Sequence, residues 1–384
     1  MKIGFISTYF YPVIGGAENN CFYLARELAK RYEVHVFTSD RKNNEKFKEY
    51  EVINNIHVHR CKTWFRYRYY FAFYPSIISK ILRKDLDILH VHSLGFFMHD
   101  FCVIFKKLFS KTKIVNTPHG PPMTLKNYNF IAKFYRFVIV NFEKLINKLY
   151  DLVIQVNPSQ KKWMVDYGIN KNKIEFIPNG ISKELFKKEN TNDLIKKYKL
   201  NNKLVISYLG RLEKYKGIDN LIEAFNKISN KNKLKLVIIG QDLGDKKRLM
   251  ELVKKYKLNN YIIFTGRVNE KLKLKLLNLS KIFILPSEWE AFGISILEAM
   301  AKGNSIISTK TEGGLFLVKE GVNGYLYDFG DVSMLRNKIQ LLIKNKKLRY
   351  KIGLNNIKKA KEFLWEDITM KLEEKYEKLL KEKI

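Results

Sequence analysis

Lys281-Ile282-Phe283-Ile284-Leu285, followed by Pro286-Ser287-Glu288-Trp289-Glu290-Ala291-Phe292-Gly293-Ile294-Ser295-Ile296-Leu297-Glu298-Ala299-Met300-Ala301-Lys302-Gly303, is the stretch on which the fold turns. The first five residues form a short apolar run, as expected of a strand buried on both faces of a parallel sheet. Ile294, Leu297, Met300 and Ala301 then recur at helical spacing, and Gly303 is placed to stop the helix. The spacing predicts a strand, a loop and a helix opening near Gly293. In an open α/β sheet, ligands sit beyond the carboxyl ends of the strands, where helix N-terminal amides converge. Glu290 falls just before this helix and Glu298 about one turn inside it. An anion held by the amides near Ile294 and Ser295 would therefore meet a carboxylate on either side. Carboxylates only accept hydrogen bonds, and sugar hydroxyls supply donors. The ligand that reconciles both demands is a phosphate carrying polyols at each end, a nucleotide sugar. Glutamates that are merely solvated remain the plain alternative for so short a pattern.

Working outward, 384 residues are enough for two α/β domains with substantial cores. A hydrophobic fraction of 46% with 28% charged residues describes a soluble globular chain. No apolar run is long enough to span a bilayer, and Met1–Ile6 reads as a strand rather than a signal peptide. Cys21, Cys61 and Cys102 are widely spaced, without metal-binding intervals, and read as reduced packing residues of a cytoplasmic protein. The net charge of +33 points to a polyanionic neighbour, whether anionic membrane, nucleic acid or phosphorylated substrate. Lysine runs on solvated helix faces would account for it equally well.

The N-terminal half opens with a strand at Lys2–Thr8, then Gly15-Gly16 at the turn into a helix ending near Arg31. Paired glycines there let the backbone approach a phosphate closely. The spacing is not GxGxxG, which weakens a dehydrogenase reading. Strands follow at Glu33–Phe37, Ile88–His92 and Lys113–Asn116, the rhythm of a parallel sheet. Asp85 and Asp87 precede their strand, at the wrong end for a ligand crevice, and read as a turn rather than a metal pair. His90 and His92 share one strand and read as buried and hydrogen-bonded rather than metal-binding. His119, in Asn116-Thr117-Pro118-His119-Gly120-Pro121-Pro122, leaves a strand end on a stiff loop and is expected in the same crevice as Gly15-Gly16. Trp64–Tyr74, with Arg66 and Arg68, and Asn129–Phe142, with Lys133 and Arg136, interleave aromatics with basic residues. Membrane contact, packing within the core and single-strand nucleic-acid stacking all fit that pattern, in decreasing order.

In the C-terminal half, strands at Leu152–Val156 and Lys173–Ile177 lead to the hydrophilic connection Ser182–Asp193. A new series of strands and helices begins at Lys203–Gly210, with further strands at Leu234–Ile239, Tyr261–Phe264, Lys281–Leu285 and Ser305–Ser308. Two Rossmann-like halves in tandem predict a cleft between them. Arg211 and Lys216, on the loop after the first of these strands, suit a diphosphate and would offset the charge of Glu290 and Glu298. Lys310–Gly314 is another glycine-paired loop that follows a strand. Phe363–Glu366 opens a final basic helix expected to pack back across the first half.

In this order, Gly15-Gly16, His119-Gly120, Asn179-Gly180, Gly210-Arg211 with Lys216-Gly217, Glu290 with Glu298, and Trp365 give the chain an end-to-end resemblance to the family-4 retaining glycosyltransferases, which have the two-Rossmann GT-B fold. The resemblance implies an acceptor domain over 1–181, a donor domain over 182–362 and a helix over 363–384 crossing back to the first. It implies that Glu290 holds hydroxyls of the transferred sugar and Glu298 the nucleotide ribose. Arg211 and Lys216 would grip the diphosphate with the amides of Gly16 and Ile294. His119 would contact the donor sugar near the reaction centre, and the backbone of Val268 would meet the nucleobase. Gly15, Phe292 and Gly293 complete the implied donor site. No cofactor or metal is implied, and retention would follow front-face attack. Two departures are Gly303-Asn304-Ser305 in place of Gly-x-Pro and Leu317 where an acidic residue often stands. The aromatic-basic stretches favour a lipid-linked or membrane-bound acceptor, with the protein cytoplasmic or peripheral on the membrane and nucleic acid disfavoured as a partner. A nucleotide-sugar 2-epimerase shares the fold, and a non-catalytic basic module binding membrane or nucleic acid is the alternative outside enzymes.

Overall fold

The computed structural model describes residues 1–13, 15–42, 45–67, 71–121 and 130–382, with backbone alone for residues 42, 67, 71, 130–136 and 138. The chain divides into two compact units, Met1–Gly180 with Trp365–Ile384, and Ile181–Leu364.

The first unit is built on an eight-stranded sheet. Its strands are β1 (Lys2–Ile6), β2 (Glu33–Ser39), β3 (Tyr50–Ile53), β4 (Ile56–Cys61), β5 (Ile88–His92), β6 (Lys113–Thr117), β7 (Leu152–Gln155) and β8 (Ile174–Phe176). Their spatial order is β8-β7-β6-β5-β1-β2-β4-β3. All neighbours run parallel except β3, which pairs antiparallel with β4 at the edge. The central strands are apolar and buried along their length, as a sheet covered on both faces requires. β3 and β4 were not anticipated. Their polar residues, such as His57 and His59, alternate with buried Ile56 and Val58, so no continuous apolar run marks them.

Three helices of this unit matter below: α1 (Gly16–Leu28), α2 (Phe97–Phe109) and α3 (Phe130–Ile146). Of the aromatic-basic stretches, Arg68 and the side chains of Lys133 and Arg136 lie outside the described residues. The C-terminal helix Trp365–Lys381 also belongs here. Its Trp365, Ile368, Leu372, Tyr376 and Leu379 form one apolar stripe that joins Phe5, Cys21, Leu24 and Leu28 in a common core. Cys21, Cys61 and Cys102 are all buried and unpaired.

The second unit carries six parallel strands, β9 (Leu204–Leu209), β10 (Leu234–Ile239), β11 (Ile262–Gly266), β12 (Ser280–Leu285), β13 (Ser305–Thr309) and β14 (Gly324–Tyr327), in the order β11-β10-β9-β12-β13-β14. β14 was not anticipated; it is only four residues long, begins on Gly324 and is flanked by Gly321 and Gly330. The hydrophilic segment Ser182–Asp193 lies in this unit, with Leu185 buried and the carbonyl of Lys187 accepting from Lys302 Nζ. Among the parallel strands of each sheet the order reverses once, between β1 and β5 in the first unit and between β9 and β12 in the second. Those reversal points are where an open α/β sheet leaves a crevice beyond its carboxyl edge.

Candidate active site

The loops leaving β9 and β12 flank the reversal point of the second unit. The β9 loop runs through Gly210 and Arg211 to a tight turn at Lys214–Lys216, then to Gly217 and helix α4 (Ile218–Asn226). Gly217 has φ +62°, and a Cβ there would lie 2.2 Å from the carbonyl oxygen of Pro286. Only glycine allows the two loops to approach this closely. The amide of Glu288 donates to the carbonyl of Tyr215 at 2.8 Å, tying one loop to the other. Beyond β12, Gly293 at φ +82° caps helix α6 (Ile294–Ala301), whose first amides open toward the same edge.

This arrangement brings Lys216 onto Glu290. Lys216 Nζ donates to Glu290 Oε1, and Ser287 Oγ donates to the same oxygen at 3.0 Å. Burial alone would lower the Lys216 ammonium, but the Glu290 carboxylate outweighs it and holds the group above its ordinary value. Arg211 is more exposed and interacts with Tyr215 Oη at 2.8 Å and Glu213 at 3.3 Å. Gly313 N–H donates to the Glu290 carbonyl at 2.9 Å, and a Cβ at Gly313 would lie 2.4 Å from the Phe292 backbone. The glycine pair at Gly313-Gly314 thus serves close packing against the loop that carries Glu290. Phe292 is buried between Phe316 and Phe363, so it has its backbone rather than its ring to offer a ligand.

Glu298 is not part of the Lys216 cluster. Its partner is Lys273, at 2.5 Å, on helix α5 (Glu270–Leu279), and Lys273 also contacts Glu270 at 2.8 Å. Burial pulls the Lys273 ammonium down, and Glu298 and Glu270 together more than restore it. Burial lifts the Glu298 carboxyl, and Lys273 opposes that lift. Val268 lies on the loop between β11 and α5, partly packed on the core. The signal for Lys273 is present in the sequence only as its i,i+3 spacing from Glu270; the pairing with Glu298 depends on how α5 packs. The two departures from the family pattern are structural. Asn304 is buried and donates to the carbonyls of Leu277 and Ala299, and Leu317 belongs to the core.

In the first unit, β1 leads to Gly15-Gly16 and β6 to His119. At the start of α1, Glu18 folds back against Gly15, leaving 2.2 Å between its carboxylate and any Cβ at that position. The α1 amides therefore already face a carboxylate of the chain itself. His119 has φ +62°, a conformation that costs a non-glycine residue about 1 kcal/mol and that clusters at functional sites. It is held by His92, whose Nδ1 lies 2.9 Å from His119 Nε2 with the rings stacked at 5.2 Å. His92 Nε2 is buried and finds no partner among the described residues. An orphaned N–H costs more than an unfilled lone pair, so His92 donates from Nδ1 and His119 Nε2 accepts. His119 then carries its proton on Nδ1. Burial keeps both rings well below the usual histidine range, hence neutral. His90 is buried too, bonded to Tyr376 Oη at 2.6 Å and Thr117 Oγ1 at 2.7 Å.

Two Rossmann-like units in tandem, each a parallel α/β sheet with a strand-order reversal, give the α/β architecture of the GT-B type. Residues 14–185 match the family model described as Glycosyltransferase Family 4, and residues 190–359 match Glycosyl transferases group 1. N-acetyl-alpha-D-glucosaminyl L-malate synthase of Bacillus anthracis is 27% identical over 95% of this chain and 92% of its own. The capsular polysaccharide biosynthesis glycosyltransferase CapM of Staphylococcus aureus is 31% identical over 66% of this chain and 68% of its own. Among solved structures, Anabaena HepE in complex with UDP-glucose is similar with a TM-score of 0.78 at 20% identity, covering 98% of this chain and 100% of that one. The chain belongs to the group 1, family 4 glycosyltransferases and is a sugar-transferring enzyme.

Proposed function

We propose that the protein transfers a sugar from a nucleotide-diphosphate donor, with retention and without a metal, to a lipid-linked or membrane-associated acceptor in the cytoplasm. The observation that carries the donor reading is the Lys216–Glu290 pair beside the N-terminus of α6. An ammonium has three donors, so Lys216 can keep Glu290 with one and offer the others to phosphate oxygens. Arg211 and the amides of Ile294 and Gly16 would add to the diphosphate clamp, and Glu290 would accept from hydroxyls of the transferred sugar. The Lys273-braced Glu298 would take the ribose, the backbone of Val268 the base, and His119 would present its Nδ1–H to an oxygen of the sugar. The acceptor oxygen would bond to the anomeric carbon as the bond to the diphosphate breaks on the same face. The acceptor proton would pass to the departing diphosphate oxygen. HepE, solved with UDP-glucose, supports a nucleotide-sugar donor of this kind.

Thermal denaturation with a panel of nucleotide sugars tests this reading. The true donor, near a hundredfold over its dissociation constant, is expected to raise the midpoint by about 3–5 °C. Indifference to every nucleotide sugar overturns it, and release of epimerised sugar without an acceptor identifies an epimerase instead. Lys216→Ala removes the clamp's buried ammonium, so calorimetry is expected to show about tenfold weaker binding of the nucleoside diphosphate alone. Unchanged affinity would place the diphosphate elsewhere.

A further inference from the structure

We infer that His92 is a positioning residue for sugar transfer: its Nδ1–H holds the His119 ring in a single tautomer, leaving the His119 Nδ1–H for an oxygen of the ligand. The inference rests on the proposal that His119 meets the donor sugar, but its geometry stands on β5 and β6 alone. These two strands lie side by side, and just beyond each one stands a non-glycine residue in the left-handed region, Ser93 at φ +84° and His119 at φ +62°. Backbone of that kind persists only where its surroundings over-determine it. Here Ser93 N–H donates to the Thr117 carbonyl at 2.9 Å, and Asn116 Nδ2 donates to the Ser93 carbonyl at 3.1 Å. The two strand ends are thus locked together, and the His92 and His119 rings are brought face to face.

Three imidazoles stack in a column there. The His90 ring lies 4.6 Å from His92 and the His92 ring 5.2 Å from His119, with interplanar angles of 25° and 19°. His90 commits both of its nitrogens elsewhere, to Tyr376 Oη and Thr117 Oγ1, so it does not compete for His92. In the 2.9 Å contact between His92 Nδ1 and His119 Nε2, one neutral ring must bring the hydrogen and the other the lone pair. If His119 brought it, His92 would carry its own hydrogen on the buried Nε2, where no described residue accepts it. If His92 brings it, only a lone pair goes unmet at that nitrogen. Which nitrogen of a histidine is protonated is set by the bond the other one makes. A neutral histidine in water favours the Nε2–H form, so His92 imposes on His119 the tautomer that it would otherwise populate less. Packing alone would require none of this, since a phenyl ring at position 92 would stack equally well.

Nitrogen NMR on the full chain, isotopically labelled at histidine, tests it. The chain has only 7 histidines, so the His119 signals can be assigned by their loss in His119→Gln. His119 is expected as the Nδ1–H tautomer in the wild type and in His92→Asn, whose amide Nδ2–H stands near the place of the imidazole Nδ1–H. In His92→Phe it should move toward the Nε2–H form. With the nucleotide sugar selected by thermal denaturation, His92→Phe is expected to lower kcat about a hundredfold with the donor KM little changed, the effect of a misplaced group at the reaction centre. His92→Asn should recover most of that loss. A His92 that only packs predicts the reverse order, because phenylalanine keeps the stack and asparagine does not. An Nε2–H tautomer in the wild type overturns the inference. So does an unchanged tautomer in His92→Phe, or turnover that is higher in His92→Phe than in His92→Asn. The tautomer is read without any donor. Indifference to every nucleotide sugar would therefore end the donor reading and still leave this measurement to decide the role of His92.

Discussion

Glu290→Gln is expected to lower sugar transfer about a thousandfold while leaving the fold and the affinity for the nucleoside diphosphate nearly intact. The exchange preserves volume, and Ser287 Oγ can still donate to the remaining carbonyl oxygen. It takes the opposing charge away from the Lys216 ammonium and turns one acceptor into an amide donor, which a sugar hydroxyl donor would then oppose. Binding of the diphosphate draws on Lys216 and Arg211, so calorimetry on the nucleoside diphosphate should change little. Turnover with the complete donor should collapse, because the hydroxyls of the transferred sugar lose the carboxylate that holds them in position for transfer. The test needs both readouts. A variant with near-normal turnover would falsify the role given to Glu290, and a variant that also loses diphosphate affinity would show the pair to be a structural strut.

The outcome matters because this pair is what the sequence allowed one to anticipate. Glu290 and Lys216 are 74 positions apart, but each sits at a fixed offset from a strand end, and parallel-sheet topology brings those two ends together. Where residue positions depend on strand ends and glycine turns, as at Gly217 and Gly293, one-dimensional pattern was enough to anticipate them. Contacts set by helix packing were not legible in that way. Lys273 reaches Glu298 only because α5 lies where it does, and its one local mark, the i,i+3 spacing from Glu270, does not point to Glu298. The hold of His92 on His119 depends on the register of β5 against β6, which places Val91 opposite Asn116 and His92 opposite Thr117. β3 and β4 escaped notice because an edge pair needs apolar residues on one face only.

Raising the pH from 5 to 8 is expected to cost the wild type about 2 kcal/mol of stability that Glu143→Gln does not lose. Asp100 on α2 and Glu143 on α3 are buried against each other, Asp100 hydrogen-bonded to Glu143 and Gly95 N–H donating to Glu143. Burial lifts both carboxyls, Glu143 to about 7, and Glu143 Oε2 has no partner among the described residues to stabilise a charge. A folded-state value above the unfolded one gives stability that is complete below about 4.5 and lost as pH climbs through about 7. Each unit of that shift is worth about 1.4 kcal/mol, and the 5-to-8 window captures most of it. The buried histidines act with the opposite sign. His90 and His99, both pushed down to about 3, contribute stability above their unfolded value near 6.5 that is lost as pH falls. The wild-type profile alone therefore mixes two opposing slopes. The informative quantity is the difference between wild type and variant in urea denaturation at the two pH values, in which the histidines cancel. Glutamine keeps an acceptor for Asp100 and Gly95 but cannot ionise, so the variant should gain on the wild type as pH rises. Parallel profiles would mean that water reaches the pair and that α2 and α3 are not sealed against each other.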